Sequence, residues 1–210
     1  MSIQIPRRLK FVFKLKNLPV GRWMDVGAGI GHYLKFMPSG SVGLDIKQDN
    51  EKSIYKWNFV DPLPAQFNGA ISVVWCSNLI EHVLDPHRFL MNLRKVIIPG
   101  NQGILFIACP NTVFFRRGPW KGTLAADHVN FFNINTLRLT MQYAGYKIVY
   151  SGCPSFPWLP IWVSKLLGPL GPTLLVGAQP IENFQYPSRA HKVLNSSGEI
   201  EFKNEFVSES

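Results

Sequence analysis

The chain has few acidic residues, few cysteines and few charged residues of either sign. Its 210 residues include 13 Asp and Glu against 22 Lys and Arg, and charged residues make up 17% of the total. The three cysteines, Cys76, Cys109 and Cys153, are odd in number, far apart and set in apolar runs. This pattern argues against a disulfide framework or a cysteine metal site, and it predicts buried thiols in a cytoplasmic protein.

The chain also lacks an apolar run long enough to cross a bilayer. Segments 148–163 and 166–181 carry no formal charge, but prolines and glycines divide them into short pieces. A lipid-facing helix needs about 20 uninterrupted residues. We therefore predict a last pair of strands joined by an apolar helix over 158–167. Because that helix carries large residues, an oligomer contact and a shallow, peripheral membrane patch stay open as alternatives.

Length and charge limit the organisation and the partners. A chain of 210 residues with 46% hydrophobic content supports one well-buried core. We predict a basic N-terminal helix within 1–20 that packs Leu9 and Phe13 on the domain and presents its cations outward. A main domain over 21–185 and a polar, irregular tail over 186–210 follow. The net charge of +9 favours anionic partners, which include nucleic acid, acidic lipid surfaces and phosphorylated or carboxylated small molecules.

Short apolar segments alternate with helix-compatible ones, which predicts an α/β domain with a mostly parallel, doubly wound sheet. The seven predicted strands are 23–25, 42–45, 55–59, 70–75, 103–108, 146–150 and 173–178. Asp85-Pro86 begins the clearest helix, which Pro99-Gly100 ends. Further helices are expected over 30–37 and 135–144.

Residues 25–31 read Asp-Val-Gly-Ala-Gly-Ile-Gly between a short apolar run and a helix-compatible run. Glycine lets the chain turn sharply and lets a bulky ligand approach the backbone. A dinucleotide motif would need glycine at position 32, which is His32. About 20 residues beyond Gly27, the next apolar segment ends in Asp45, whose carboxylate can accept hydrogen bonds from ribose hydroxyls.

This spacing resembles the D-x-G-x-G-x-G nucleoside motif of class I S-adenosylmethionine-dependent methyltransferases. The resemblance implies a Rossmann-like, seven-stranded single domain that uses S-adenosyl-L-methionine as cofactor. In that family the leading carboxylate lies close to the amino acid end of the ligand, a role that the resemblance gives to Asp25.

Three later segments, 70–86, 96–111 and 127–146, are similar to the central signature of the broad methyltransferase families that include ubiquinone-type O-methyltransferases. They carry an L-E-H-V-like turn, a D-P helix start, a P-G turn, a strand ending in P-N and an H-x-x-F-F stretch. The resemblance covers roughly residues 21–151. The cofactor-binding residues that it implies are Asp25, Gly27, Ala28, Gly29, Gly31, Asp45, Asn58, Cys76, Ser77 and Asn78.

The chain departs from the family pattern at two positions. Asn58 stands where relatives usually carry an aspartate that accepts a hydrogen bond from the adenine amino group; its amide oxygen can still accept that bond, and Asp61 is the alternative acceptor. Some relatives present E-x-x-E-H as a divalent-ion site, but the first position here is Asn78, which leaves Glu81 and His82. One anionic ligand fewer predicts no bound metal.

If the acceptor is a hydroxyl, a base helps to remove its proton, and His82 and His128 are the candidate catalytic residues. Structural roles stay open for both, as a backbone anchor for His82 and as a loop anchor paired with Asp127 for His128. The basic, aromatic loop over 114–122 is a candidate contact for an anionic acceptor.

We predict an S-adenosylmethionine-dependent methyltransferase that acts on oxygen of a small-molecule or glycan-type acceptor. A nucleic-acid methyltransferase is the alternative within enzymes. A degenerate methyltransferase fold that serves as a membrane-peripheral or partner-binding module is the alternative from another class.

Overall fold

The computed structural model describes residues 4–59, 61–116, 127–155, 160–167 and 170–185, and the strand residues 192–194 and 200–202. Seven strands, β1 to β7, form one sheet within these residues. They are Trp23–Val26, Val42–Asp45, Ile54–Lys56, Val73–Ser77, Ile104–Pro110, Tyr146–Gly152 and Thr173–Pro180. All seven lie at or within a few residues of the predicted strands.

The strand order is β3-β2-β1-β4-β5-β7-β6. The first five strands in this order are parallel, and β7 runs antiparallel between β5 and β6. Chain direction therefore places the carboxyl ends of β1, β2, β4 and β5 at one edge. This arrangement confirms the predicted Rossmann-like, mostly parallel sheet of a single α/β domain.

Helices pack on both faces of the sheet. Within the described residues they are α1 to α5, with the bounds Arg7–Val12, Pro86–Val96, Thr112–Arg116, Ile134–Tyr143 and Ile161–Leu167. Helix α2 begins as predicted, because the Asp85 side chain accepts a hydrogen bond from the Arg88 N–H and Pro86 occupies the first position. Its residues Phe89, Leu90 and Leu93 are buried against one sheet face together with α4.

The opposite face is covered by α1 and α5. Leu9, Phe11 and Val12 of α1 are fully buried in a cluster with strand residues, and Ile161 of α5 packs against the same cluster. The predicted apolar helix between the last two strands is therefore confirmed as the shorter α5. The predicted inward position of Phe13 is wrong, since 39% of its surface is exposed. Phe13 is the C-cap of α1 and donates its N–H to the Leu9 carbonyl; its ring contacts Trp23 at a centroid distance of 5.5 Å and is otherwise partly open to solvent.

One predicted helix does not form. Residues 30–37 contain turns and a single 3-10 turn at Leu34–Phe36 instead of an α-helix. Gly29 and Gly31 have positive φ values of 54° and 75°, and Pro38 closes the segment. Too few residues remain between these points for a stable α-helix to propagate.

Beyond the main sheet, β8 (Lys192–Leu194) and β9 (Ile200–Phe202) pair as an antiparallel hairpin. This pairing differs from the irregular chain expected in the tail. Among the described residues, none of the helices has the length and apolar character that a bilayer crossing requires.

Candidate active site

The candidate site lies where β1, β2 and β4 end. Asp25 is the third residue of β1, Asp45 is the last residue of β2, and Ser77 is the last residue of β4. Open α/β sheets bind ligands beyond the carboxyl ends of their strands. The structure therefore brings the glycine loop, the second carboxylate and the end of the fourth strand to one edge, as the sequence predicted.

The glycine loop is fastened to β2 by its own backbone. The N–H groups of Gly27 and Ala28 both donate to the carbonyl oxygen of Leu44, at 2.8 and 3.1 Å. The N–H of Gly29 donates to Oδ2 of Asp45 at 2.8 Å. Asp45 thus lies within direct reach of the loop, and these three bonds hold the loop and the carboxylate in a fixed relation.

The glycines of this loop have different roles. Gly27 and Gly29 have φ values of 78° and 54°, which favour glycine. A Cβ atom added to Gly27 would lie 3.1 Å from Leu79, so this position is a packing contact as well as a turn. A Cβ atom added to Gly29 would meet nothing within 4 Å. Gly29 therefore borders open space in which a ligand can approach the backbone.

Asp25 is a buried carboxyl group with an unused oxygen. Only 1% of its surface is exposed, and Oδ2 has no hydrogen-bond partner in the described chain. Burial, followed by the charge of Asp45, raises the pKa of Asp25 to about 7. An orphaned acceptor beside an open glycine loop suits a cationic or hydrogen-bond-donating ligand group. These residues fit the amino acid end of S-adenosylmethionine.

The end of β4 offers backbone and polar groups, but its cysteine is out of reach. Cys76 is fully buried, and burial raises the pKa of its thiol well above the usual value. Asn78 is exposed, has a φ value of 53°, and donates its N–H to the carbonyl oxygen of Ala108. Cys76, Cys109 and Cys153 are all free and buried, which confirms the prediction of buried thiols.

Arg8 is a site residue that the sequence reasoning missed. Its guanidinium donates to Oγ of Ser77 at 2.9 Å and to Oδ1 of Asn78 at 2.7 Å. The sequence pattern predicts N-terminal cations that point outward, whereas this one crosses the end of β4. The basic run of the N-terminus was a signal for a cation near the site, but it did not distinguish Arg8 from its neighbours.

His82 and His128 are brought together. Their ring centroids lie 4.8 Å apart at an interplanar angle of 78°. Nδ1 of His82 lies 3.2 Å from the carbonyl oxygen of Asp127 and 3.3 Å from its Oδ2. His82 is therefore the ring whose nitrogen lies within hydrogen-bond distance of Asp127, while His128 interacts with the charge of Asp127. Desolvation, with a smaller effect of His82, lowers the pKa of His128.

Glu81 adjoins the histidine pair. It is 2% exposed, and neither carboxylate oxygen has a hydrogen-bond partner elsewhere in the described residues. Burial raises the pKa of this carboxyl group. One donor atom from each of Glu81, His82 and His128 lies within 4.8 Å of the other two, so the three could hold a metal ion. The predicted absence of a metal stays a prediction.

The three remaining predicted contacts are Asn58, Ala28 and Gly31. Asn58 is exposed just after β3, and its backbone carbonyl accepts a hydrogen bond from the N–H of Asp61. Ala28 is buried within the glycine loop and Gly31 donates its N–H to Ala28, so both support the loop's shape. Most of the basic loop over 114–122 lies outside the described residues, which resume at 127.

Comparisons with known proteins agree with this geometry. Residues 3–151 match the model of a family described as a methyltransferase domain. A search of curated proteins finds no match. Solved structures with a similar fold include a chain of the complex between the Haloferax volcanii Trm112 methyltransferase activator and a methyltransferase, at 17% identity and a TM-score of 0.62, covering 85% of this chain and 90% of that one.

Two further structures cover similar shares. An S-adenosylmethionine-dependent methyltransferase from Mesorhizobium loti is 15% identical, with a TM-score of 0.61 over 85% of this chain and all of its own. A possible histamine N-methyltransferase from Thermotoga maritima is 16% identical, with a TM-score of 0.60 over 83% of this chain and 88% of its own. At these identities the likeness concerns the fold.

Proposed function

Because this chain belongs to the methyltransferase family and uses S-adenosylmethionine, we propose that it methylates an oxygen of a small-molecule or glycan-type acceptor. We infer that oxygen is the methylated atom from the pairing of His82 with His128, whose ring centroids lie 4.8 Å apart. A hydroxyl acceptor needs a group that accepts its proton, and a neutral imidazole serves that purpose near neutral pH.

The fit of the cofactor to this chain rests on three residues. Asp45 would accept hydrogen bonds from the ribose hydroxyls, and the open side of Gly29 would allow the ligand to approach the backbone. The unused Oδ2 of Asp25 would accept a hydrogen bond from the amino group of the methionine end. The backbone around Cys76, Ser77 and Asn78 would complete the contacts, while Asn58 would accept from the adenine.

S-adenosylmethionine supplies an electrophilic methyl group and leaves as a neutral thioether, so its departure needs no acid. His128 would take the hydroxyl proton as the acceptor oxygen forms its new bond to carbon. The lowered pKa of His128 keeps its ring neutral and able to accept that proton. His82, held against Asp127, would orient His128.

Arg8 supports an acceptor that carries negative charge. Its guanidinium lies at the end of β4, where it donates to hydroxyl and amide groups and also interacts with the charge of Glu81; a positive charge at this place favours an anionic group. The net charge of +9 would also attract such an acceptor. The same charge favours nucleic acid as a second candidate acceptor, which strongly salt-dependent binding of oligonucleotides would identify.

The test is transfer of labelled methyl groups into fractionated cell extract. We expect label in a small-molecule or glycan fraction, attached through oxygen. The His128→Gln variant should lose most of this transfer, while His87→Gln, which alters a histidine on α2 that contacts the Tyr143 carbonyl, should retain it. Label in RNA or DNA, or attachment through nitrogen or carbon, would contradict the proposed acceptor.

A further inference from the structure

Helix α5 exposes large apolar side chains on the side that faces away from the sheet. Trp162 and Leu166 are 65% and 68% exposed, and Leu170, just beyond the helix, is 65% exposed. Trp162 and Leu166 are four residues apart, so they lie on the same side of the helix. Ser164 is 2% exposed and lies on the side that contacts the sheet. Apolar side chains grouped in this way mark an interaction surface.

Helices α1 and α5 cover the same face of the sheet, and Tyr150 of β6 contacts both. The Tyr150 ring packs against Phe11 of α1 with a centroid distance of 5.6 Å. Its hydroxyl shares a 2.7 Å hydrogen bond with Oγ of Ser164 in α5. Tyr150 thus contacts both helices, which cover the same face of the sheet.

That face is basic as well as apolar. Arg7 and Lys10 of α1 are exposed, whereas Leu9 and Val12 are buried toward the sheet. Lys165 is exposed on α5 beside Leu166. Neither helix contains an acidic residue. Cations thus stand beside exposed tryptophan and leucine, which is the composition of helices that lie in a membrane interface.

We propose that this α1–α5 surface, made of Arg7, Lys10, Trp162, Lys165 and Leu166, docks on an anionic lipid bilayer. Trp162 enters the headgroup region and Leu166 enters the acyl boundary, where both lose contact with water. The basic side chains pair with lipid phosphates, and their methylene stems cover apolar surface.

The composition of this surface favours an anionic bilayer over a second copy of this chain or a nucleic acid. A two-fold contact between copies of this chain would bring the same cations against one another, because both copies present the same patch. A nucleic-acid backbone would pair with the cations but would leave Trp162 and Leu166 exposed. An anionic bilayer satisfies both the charged and the apolar parts of the surface.

Docking also positions the candidate active site. Arg8 belongs to α1 and reaches the end of β4, so the helix that lies on the bilayer also borders the site. The edge of the sheet is then held close to the membrane. This inference does not depend on the acceptor or on methyl transfer, and vesicle binding tests it without any measurement of activity.

The experiment is flotation of the full chain with vesicles of phosphatidylcholine alone and of phosphatidylcholine mixed with phosphatidylglycerol. We expect the wild-type protein to float with the mixed vesicles and not with phosphatidylcholine alone, and salt to weaken the association. The double variant Trp162→Ser/Leu166→Ser should lower the partition coefficient roughly tenfold or more. Lys10→Gln should lower it about fivefold.

Matched controls change equally exposed residues outside this surface. Leu84→Ser removes a leucine that is 80% exposed before α2, and Lys95→Gln removes a cation that is exposed on α2. Both should leave flotation unchanged. Binding of S-adenosylhomocysteine by each variant verifies that it is folded, and the wild-type comparison between the two vesicle types needs no variant.

Three results would overturn the proposal. The first is wild-type protein that fails to float with the mixed vesicles. The second is flotation that the Trp162→Ser/Leu166→Ser variant retains in full. The third is a lipid-free dimer in sedimentation that Trp162→Ser abolishes, because the surface would then belong to a second copy of the chain.

Discussion

The backbone N–H of Gly29 donates a 2.8 Å hydrogen bond to Oδ2 of Asp45. This bond joins the end of β2 to the glycine loop after β1, which leaves the open side of Gly29 next to a carboxylate. Cofactor binding at this edge of the sheet depends on this relation.

The Gly29→Ala substitution places a methyl group where the structure has open space. The φ value of 54° makes alanine cost about 1–2 kcal/mol of stability. We expect affinity for S-adenosylhomocysteine, measured by calorimetry, to fall at least tenfold. Gly69→Ala is the matched control, because Gly69 has a φ value of 60° and also has nothing within 4 Å of an added Cβ. It should cost similar stability and leave affinity intact; an equal loss of affinity in both variants would contradict the role of Gly29.

The raised pKa of Asp25 predicts a pH dependence of stability. The folded protein holds this proton up to about pH 7, whereas the unfolded chain releases it near 3.8. The folded state therefore binds more protons in that window, and the free energy of unfolding should fall as pH rises from about 4 to 7. The contribution of this group is on the order of 4 kcal/mol. Denaturant titrations between pH 4 and 7 should show that the free energy of unfolding of Asp25→Asn changes less with pH than that of the wild type. The same slope in both proteins would contradict the raised pKa of Asp25.

Cofactor binding should be linked to the same proton. A cationic ligand group beside Asp25 favours the ionised carboxylate, so binding below pH 7 should release a proton. Calorimetry of S-adenosylhomocysteine in buffers with different ionisation enthalpies measures that proton directly. We expect release in the wild type near pH 6 and none in Asp25→Asn. The same release in both proteins would assign the proton to another group.

The His128→Gln substitution tests whether His128 accepts the proton of the acceptor hydroxyl. Loss of a general base should lower the rate of methyl transfer by about 10²- to 10⁴-fold, while affinity for S-adenosylhomocysteine stays the same. The wild-type rate should rise with pH through the pKa of His128, which lies below 6.5 because of burial. His82→Gln should lower the rate less and shift that pH profile. A His128→Gln enzyme with the wild-type pH profile would leave His128 with a structural role only.

The contribution of Arg8 to stability is tested by comparison with Lys10, an exposed cation on the same helix. Arg8→Gln removes two charge-assisted hydrogen bonds to the end of β4, and we expect the free energy of unfolding to fall by about 1–3 kcal/mol. Arg8→Lys should restore part of the stability but cannot make both bonds with the same geometry. Lys10→Gln changes an exposed cation on the same helix and should be nearly neutral. Equal denaturation midpoints for Arg8→Gln and Lys10→Gln would contradict the contact.

Much of the fold follows from local patterns in the sequence. The strands are short apolar runs between turn residues, and α2 begins at an Asp-Pro pair whose capping chemistry depends on adjacent residues alone. The approach of Asp45 to Gly29 also follows from local order. Asp45 ends β2, and Gly29 lies in the loop that follows β1, the neighbouring parallel strand. These features could be predicted because neighbours in the sequence determine them.

Most of the features that the sequence did not predict are contacts between residues far apart in the chain. Arg8 contacts Ser77 across 69 positions, and no periodicity in the N-terminal run distinguishes it from Arg7 or Lys10. The missing helix over 30–37 has a different cause, since apolar content favoured a helix while the positive φ values of Gly29 and Gly31 fixed a turn. The sequence predicted His82 and His128 only as two separate candidates, because their contact spans 46 positions.

Calorimetry of S-adenosylhomocysteine with three proteins tests directly whether the ligand binds beside the glycine loop and Asp45. We expect saturable binding by the wild type, a loss of roughly 100-fold in affinity for Asp45→Ala through its missing ribose contacts, and wild-type affinity for Asp49→Ala, whose carboxylate pairs with Lys52 on the surface. No binding heat and no thermal stabilisation of the wild type at high ligand excess, or full affinity in Asp45→Ala, would contradict binding at this site.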